Sequence, residues 1–446
     1  MKRLQRPDSL TYLHSMTLAA KKSLAVRFAF IFLLLTHYSF AQTEKHYLIK
    51  AGLMYDSEAN AFAKNRQILV KGKTIIKVGE RLEVPKGTEV LDYSNATVTP
   101  GLIDAHTHIL TSQGLTEALS VDAVMNSSEK RVLRAVGFAK SYLDAGFTTI
   151  RDLGNSGQYL DLEVSRAIKK GYITGPRMLV SGPIIGSMDG QLDGLPIKDF
   201  DRVSRQEQSM VTGVDQARQA VLEHIARGVD VIKILAIGNR LTLTLEEMKA
   251  IVETAHAQRV KVTAHCDRDW AVHNAIEAGV DGIEHGYGFK DATLELMAKK
   301  GIYLVPTYQS INVVEQYYKL MKMPYKPEDL TANVASYRKW LGQIEKSGVL
   351  MVAGSDSYHD LQMPRGDEAK QTIWGYNDFG LSPENVLKSA TANAAFALEM
   401  KDQIGVIKEG AFADIVVFNG DLQKNFKTAL YDVRMVMKEG EIHVRK

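Results

Sequence analysis

The stretch GLIDAHTHIL places His106 and His108 two residues apart at the end of an apolar run, in a chain with 12 histidines among 446 residues. Side chains at i and i+2 of a β-strand point to the same side. Two imidazoles aimed at one point near a strand end are what a bound metal ion needs. Two histidines at a solvated turn are the plainer alternative. Four further residues bear on the choice: Lys233 in VDVIKILA, His265 in VKVTAHC, His285 in GIEHG and Asp356 in VLMVAGSDS. Taken singly, His265 suits a hydrogen-bonded core position, His285 a turn cap, and Asp356 a turn or helix cap. Lys233 has no such ordinary use. An unpaired ammonium inside an apolar strand is costly to bury and tends to lose its proton.

Together the six residues point to a metal centre. Imidazole with carboxylate favours zinc, with manganese, iron or cobalt as alternatives. Six ligands exceed one tetrahedral ion, so two divalent ions are expected. Two neighbouring cations need a bridging anion. A neutral lysine in a dry site reacts with CO2 to give a carbamate, which supplies two oxygens and a negative charge, and that gives Lys233 a purpose.

The elements that must position these residues alternate regularly. Short β-branched or apolar runs occupy 97–108, 146–154, 176–182, 229–236, 260–266, 282–286, 302–308 and 349–357. Between them lie segments of helical period, such as EKRVLRAVGFAKSYLDAG and QARQAVLEHIARG, which end at glycine as helices often do. Eight such units predict an α/β fold, a (β/α)8 TIM-like barrel over 99–404, with the six residues at the C-terminal strand ends where barrel chemistry sits. An open doubly wound sheet is the alternative, but no glycine-rich phosphate turn is evident near its start. Residues 309–348 read as a helical insertion of the kind that covers an active site. The flanks differ. QILVKGKTIIKVGE and VRMVMKEGEIHVR are hairpin patterns, so 42–98 and 405–446 are expected to form a small composite β-sandwich domain.

Composition is that of an ordinary globular chain, with 45% hydrophobic and 24% charged residues. One cysteine, Cys266, excludes an intramolecular disulfide. The apolar core Phe28–Leu35 follows Lys21 and Lys22 and precedes Ser39-Phe40-Ala41. It is too short to span a bilayer and reads as a signal peptide over 1–41, with Met16 a conventional starting point. The chain is thus expected to be periplasmic or secreted, without stable membrane insertion after cleavage. Removing 1–41, which holds six Lys/Arg and one Asp, takes the formal charge from +3 to −2. No basic patch then argues for a nucleic-acid partner.

The chain resembles the amidohydrolase superfamily, in its imidazolonepropionase-like and Xaa-Pro dipeptidase-like branch. The residues that carry the resemblance include VTPGLIDAHTH, GFTTIRDLG, VDVIKILA, VTAHC, GVDGIEHGY, GSDS and SATANAAFALEMKDQIGVIKEGAFADIVVF. It implies that His106 and His108 bind the more buried metal with Asp356, that His265 and His285 bind the second, and that carboxylated Lys233 bridges them. It further implies attack by a metal-bridging hydroxide on a C–N amide bond, with Asp356 as general base and then acid. The expected substrate is a small molecule, a dipeptide or N-acyl amino acid, and homo-oligomers are common among such relatives. A cyclic amide hydrolase or deaminase of the imidazolonepropionase type is the alternative enzyme; imidazolonepropionase itself lacks the strand lysine. A catalytically dead binding protein is the alternative from another class, but all six ligands are present.

Two segments depart from the pattern. Many relatives carry a TGGH-like segment after the third strand, where this chain reads IIGSMDGQLDG without histidine. Many show a double glycine after the strand lysine, where this chain reads LAIGNR. Arg151 and Arg365 could grip a substrate carboxylate, although an ordinary structural arginine is the commoner use. Tyr317, Tyr318 and Tyr325 could line a pocket mouth, or simply pack.

Overall fold

The first four strands are β1 (His46–Asp56), β2 (Ala61–Lys71), β3 (Thr74–Gly79) and β4 (Glu89–Pro100). They belong to a computed structural model that describes residues 45–191 and 195–446; the expected signal peptide lies outside the described residues. β2 and β3 form the hairpin read from the sequence, turning at Gly72, whose φ of 53° suits glycine.

From residue 102 strands and helices alternate. β5 (Leu102–Thr107), β6 (Phe147–Asp152) and β7 (Arg177–Val180) form a three-stranded parallel sheet in that order. β8 (Ile184–Gly186), β9 (Gln208–Met210), β10 (Val231–Leu235), β11 (Lys261–Cys266), β12 (Gly282–His285) and β13 (Tyr303–Val305) form a second parallel sheet, ordered β13-β12-β11-β10-β8-β9. Every position of β5, β6, β10 and β12 is buried, as strands covered on both faces must be. The helices start and stop where their caps say. Thr244 and Glu247 form a capping box at the start of Leu245–Ala257. Gly228, with φ 97°, ends Val214–Arg227. The insertion is helical at Ile311–Leu320 and Pro327–Ser347. No helix among the described residues is long and apolar enough to cross a membrane.

Seven of the eight expected runs contain strands; the eighth, 349–357, does not. It is extended chain, hydrogen-bonded on both sides. Val352 N donates to Leu304 O of β13, Ala105 N of β5 donates to Ala353 O, and Asp356 N donates to His106 O. Asp356 has a φ of 51°, which breaks a regular ladder. The segment therefore lies between β13 and β5 and sets Asp356 beside His106. The unexpected short strands β8 and β9 follow the turn at Gly182, φ 67°.

β14 (Ile415–Asn419), β15 (Val433–Lys438) and β16 (Glu441–Arg445) join the first four strands in one sheet ordered β16-β15-β14-β4-β1-β2-β3. It takes strands from both chain ends. The strands run as one hydrogen-bonded series, and the series bends back on itself. Ile75 N of β3 donates to Ala411 O, and Ala413 N donates to Lys73 O. The residues leading into β14 thus cover the β3 edge, which would otherwise expose unpaired backbone. Ile49, Ile68, Val70, Val98, Val417 and Met435 belong to the separate apolar core of this sheet.

Candidate metal centre

His106 is the penultimate residue of β5, and its Nδ1 lies 2.7 Å from Glu284 Oε2 on β12. Glu284 accepts that proton, which leaves the Nε2 lone pair free. His106 Nε2 is 3.3 Å from His108 Nε2 and 3.4 Å from Asp356 Oδ1. His108 is built the same way. Its Nδ1 donates to Gly154 O at 3.0 Å, and its Nε2 is 3.2 Å from Asp356 Oδ1. The two imidazoles converge on one carboxylate, as their spacing predicts. Histidines that hold a metal ion usually donate their other ring N–H to a carboxylate or carbonyl in this way.

His285 ends β12 with a φ of 75°, a left-handed backbone that non-glycine residues hold only when their surroundings enforce it. Its Nδ1 is 2.9 Å from Thr307 Oγ1 and 3.7 Å from Asp356 Oδ2. Ligand atoms of His106, His285 and Asp356 all lie within 4.8 Å of one another. His265, on β11, has its ring centroid 4.4 Å from that of His285. Lys233, on β10, is 2% exposed.

The electrostatics suit a cation. Burial pushes the Lys233 ammonium down to about 8, against the pull of Glu284 and Asp356, with Arg151 adding to the fall. Burial, and then the Lys233 charge, lowers His106 to about 4 and His265 to about 3. Burial and His265 together hold His285 well below its ordinary value. Burial disfavours the Asp356 carboxylate, but His106, His108 and His285 outweigh it and hold Asp356 far below the usual range. Burial works against a charged His108 too, but Asp356 outweighs it and raises that imidazole, so it is His106, His265 and His285 that offer uncharged imidazole lone pairs beside the ionised Asp356 carboxylate. Divalent metals require that protonation state of their ligands, and the residues fit such an ion.

Glu284 is the site residue the sequence reading missed. Its one signal is an acidic residue inside the short apolar run GIEHG. It is fully buried, receiving Thr263 Oγ1 at 2.5 Å and Arg151 Nη2 at 2.9 Å besides His106. Arg151 is spent inside the fold. Its Nε donates to Ala105 O at 2.7 Å and its Nη1 to Tyr303 Oη at 2.7 Å. Arg365 is likewise internal, with Nη2 on Thr111 O and its guanidinium 4.5 Å from the Phe138 ring centre. Arg151→Met is expected to cost about 3–5 kcal/mol, because it leaves the Glu284 charge buried without its partner. Urea unfolding of the metal-free chain measures this, and a loss under about 1 kcal/mol would show that Glu284 does not depend on Arg151.

Of the three tyrosines singled out in the insertion, Tyr318 and Tyr325 stack on each other at 5.3 Å and Tyr317 meets the edge of His359 at 6.1 Å. Rings that touch the metal-site histidines come from elsewhere. Tyr287 lies against His285, and Tyr358 meets His108 edge-on at 5.8 Å.

The amidohydrolase family model matches residues 97–443. Ochratoxinase from Aspergillus niger is 28% identical over 414 residues, covering 85% of this chain and 82% of that protein. Its crystal structure has a TM-score of 0.77 at 26% identity, over 90% of this chain and 96% of the other. The crystal structure of a Xaa-Pro dipeptidase with methionine bound in its active site also has a TM-score of 0.77 at 26% identity, over 90% and 100% of the two chains. Imidazolonepropionase from Fusobacterium nucleatum subsp. nucleatum is 25% identical over 392 residues, covering 80% of this chain and 85% of that protein.

Proposed function

The chain belongs to the amidohydrolase family, and from that premise we propose a binuclear metal-dependent hydrolase that cleaves the C–N amide bond of a dipeptide or N-acyl amino acid. One geometric observation carries the reading: ligand atoms of His106, His285 and Asp356 lie within 4.8 Å of one another, with His108 and His265 beside them and Lys233 buried on β10, the strand next to that of His265. In this reading His106, His108 and Asp356 hold one ion and His265 and His285 the other. Carboxylated Lys233 would be the ligand shared between the two ions, and zinc is the expected metal. When bound, such ions polarise a carbonyl and make coordinated water acidic. The chain supplies the proton traffic. Asp356, whose carboxylate faces His106 and His108, would take a proton from the attacking water as its oxygen bonds the carbonyl carbon, then give it to the leaving nitrogen as the C–N bond breaks. Glu284 keeps His106 turned so that Nε2 faces the site.

The proposal extends to architecture and location. The two parallel sheets and the segment 349–357 are read as arcs of one (β/α)8 barrel, a reading supported by the hydrogen bonds that 350–356 makes to β13 and β5. The barrel would span 99–404, beside a composite domain of 42–98 and 405–446. The apolar run Phe28–Leu35 supports export through a signal peptide, and assembly into a homo-oligomer is proposed by likeness to relatives.

The test is elemental analysis of protein produced from Gln42, alongside hydrolysis of a panel of dipeptides and N-acyl amino acids. About two transition-metal ions per chain with release of free amino acid is the expected result. About one ion and no cleavage would overturn it in favour of a cyclic amide hydrolase or deaminase.

A further inference from the structure

We infer that the side-chain amide of Gln191 donates the hydrogen bond that stabilises the oxyanion of the scissile carbonyl, an inference that rests on the amide-hydrolase reading above. The ligands and their acceptors account for charge and proton transfer but leave the carbonyl oxygen without a protein donor. Among the described residues, Gln191 brings a neutral side-chain amide to the ligand set: its Nε2 is 3.2 Å from His265 Nε2. An amide nitrogen only donates, so this contact uses the lone pair of an uncharged His265. Any cation that takes that lone pair removes the acceptor while leaving the amide aimed at the site. A substrate oxygen held beside the cation is then its natural replacement. Among the described residues, two hydroxyls near the ligands are already paired with each other, Tyr287 Oη lying 2.5 Å from Thr307 Oγ1, while Tyr358 meets His108 through its ring.

The backbone that carries Gln191 is fastened for this purpose. Asp189 Oδ1 accepts Ser187 Oγ at 2.8 Å, and Asp189 Oδ2 accepts the backbone N–H groups of Arg240 and Leu241 at 2.5 and 2.8 Å. Asn239 N donates to Gly190 O at 3.0 Å. Gly190 has φ 48°, and a Cβ there would fall 1.8 Å from Gln208 Oε1; one on Gly238 would fall 2.6 Å from Asp189 Oδ1. The two segments in which this chain departs from its relatives are thus one assembly. The loop after β10 holds the loop after β8, and that loop presents Gln191. Donors fixed before reaction stabilise developing charge without reorganising.

The experiment compares wild type, Gln191→Met and Gln191→His, all metal-loaded, on the panel member cleaved fastest. It also measures binding of the N-methylphosphonyl derivative of the amino acid released, a tetrahedral mimic. Gln191→Met is expected to lower kcat by about 10²-fold with KM little changed, and to weaken phosphonyl binding by a similar factor. Metal content should stay at the wild-type value, and Gln191→His, which keeps an N–H donor, should recover part of both losses. A Gln191→Met enzyme within about threefold of wild-type kcat would overturn the inference while leaving the hydrolase reading intact. So would a loss that tracks missing metal. A wild-type chain that cleaves no panel member overturns the hydrolase reading and this inference with it.

Discussion

Lys233→Ala is expected to lower kcat/KM by about 10³-fold, the scale on which central electrostatic groups act, and to remove one of two bound metals. The buried lysine sits among Glu284, Asp356 and Arg151, and burial brings its amine down to about 8. A free amine is the form that captures CO2, so part of the population is ready to form the carbamate at neutral pH. On the proposed carbamate reading, alanine would delete both bridging oxygens together with the side chain. A small carboxylate such as propionate would then resupply two oxygens with one negative charge. Partial rescue of activity and metal content by propionate is therefore expected. Full activity without added carboxylate, or two metals retained by the variant, would remove Lys233 from the bridge.

Asp356→Asn is expected to lower kcat by about 10²–10⁴-fold, the range for loss of a general base or acid, with a smaller change in KM. The substitution isolates chemistry from folding. Asp356 has a left-handed backbone, φ 51°, and asparagine is among the few residues that tolerate it. The amide keeps the shape of the carboxylate and one oxygen facing His106 and His108, so metal content should fall less than activity. It cannot take up the proton that must reach the leaving nitrogen. Asp356→Ala would instead add backbone strain and empty the contact with three histidines, which confounds the result. An asparagine variant within tenfold of wild-type kcat would assign the proton transfer to another group.

Both predictions rest on residues that the sequence singled out, and the reasons differ from residue to residue. His106 and His108 are legible because a strand's period of two puts them on one side, and the 3.3 Å between their Nε2 atoms is the geometric consequence. Lys233 is legible because its charge contradicts the apolar run around it. Arg151 is visible as a candidate but not in its role, because its partners Ala105, Glu284 and Tyr303 come from three other strands. The run 349–357 has strand composition, yet Asp356's backbone breaks the ladder there.

The sequence by itself determined the donor types, their order along the chain, and the alternation of strand and helix that places most of them at strand ends. Composition and periodicity act locally, through side-chain direction and burial. Only the tertiary structure decided which atoms meet. Strand register across β5, β11 and β12 makes Glu284 the acceptor for His106, and the path of two stitched loops brings Gln191 to His265. These contacts join residues 178 and 74 positions apart, and no local period encodes them; they exist because packing and backbone pairing bring distant strands and loops to one buried point.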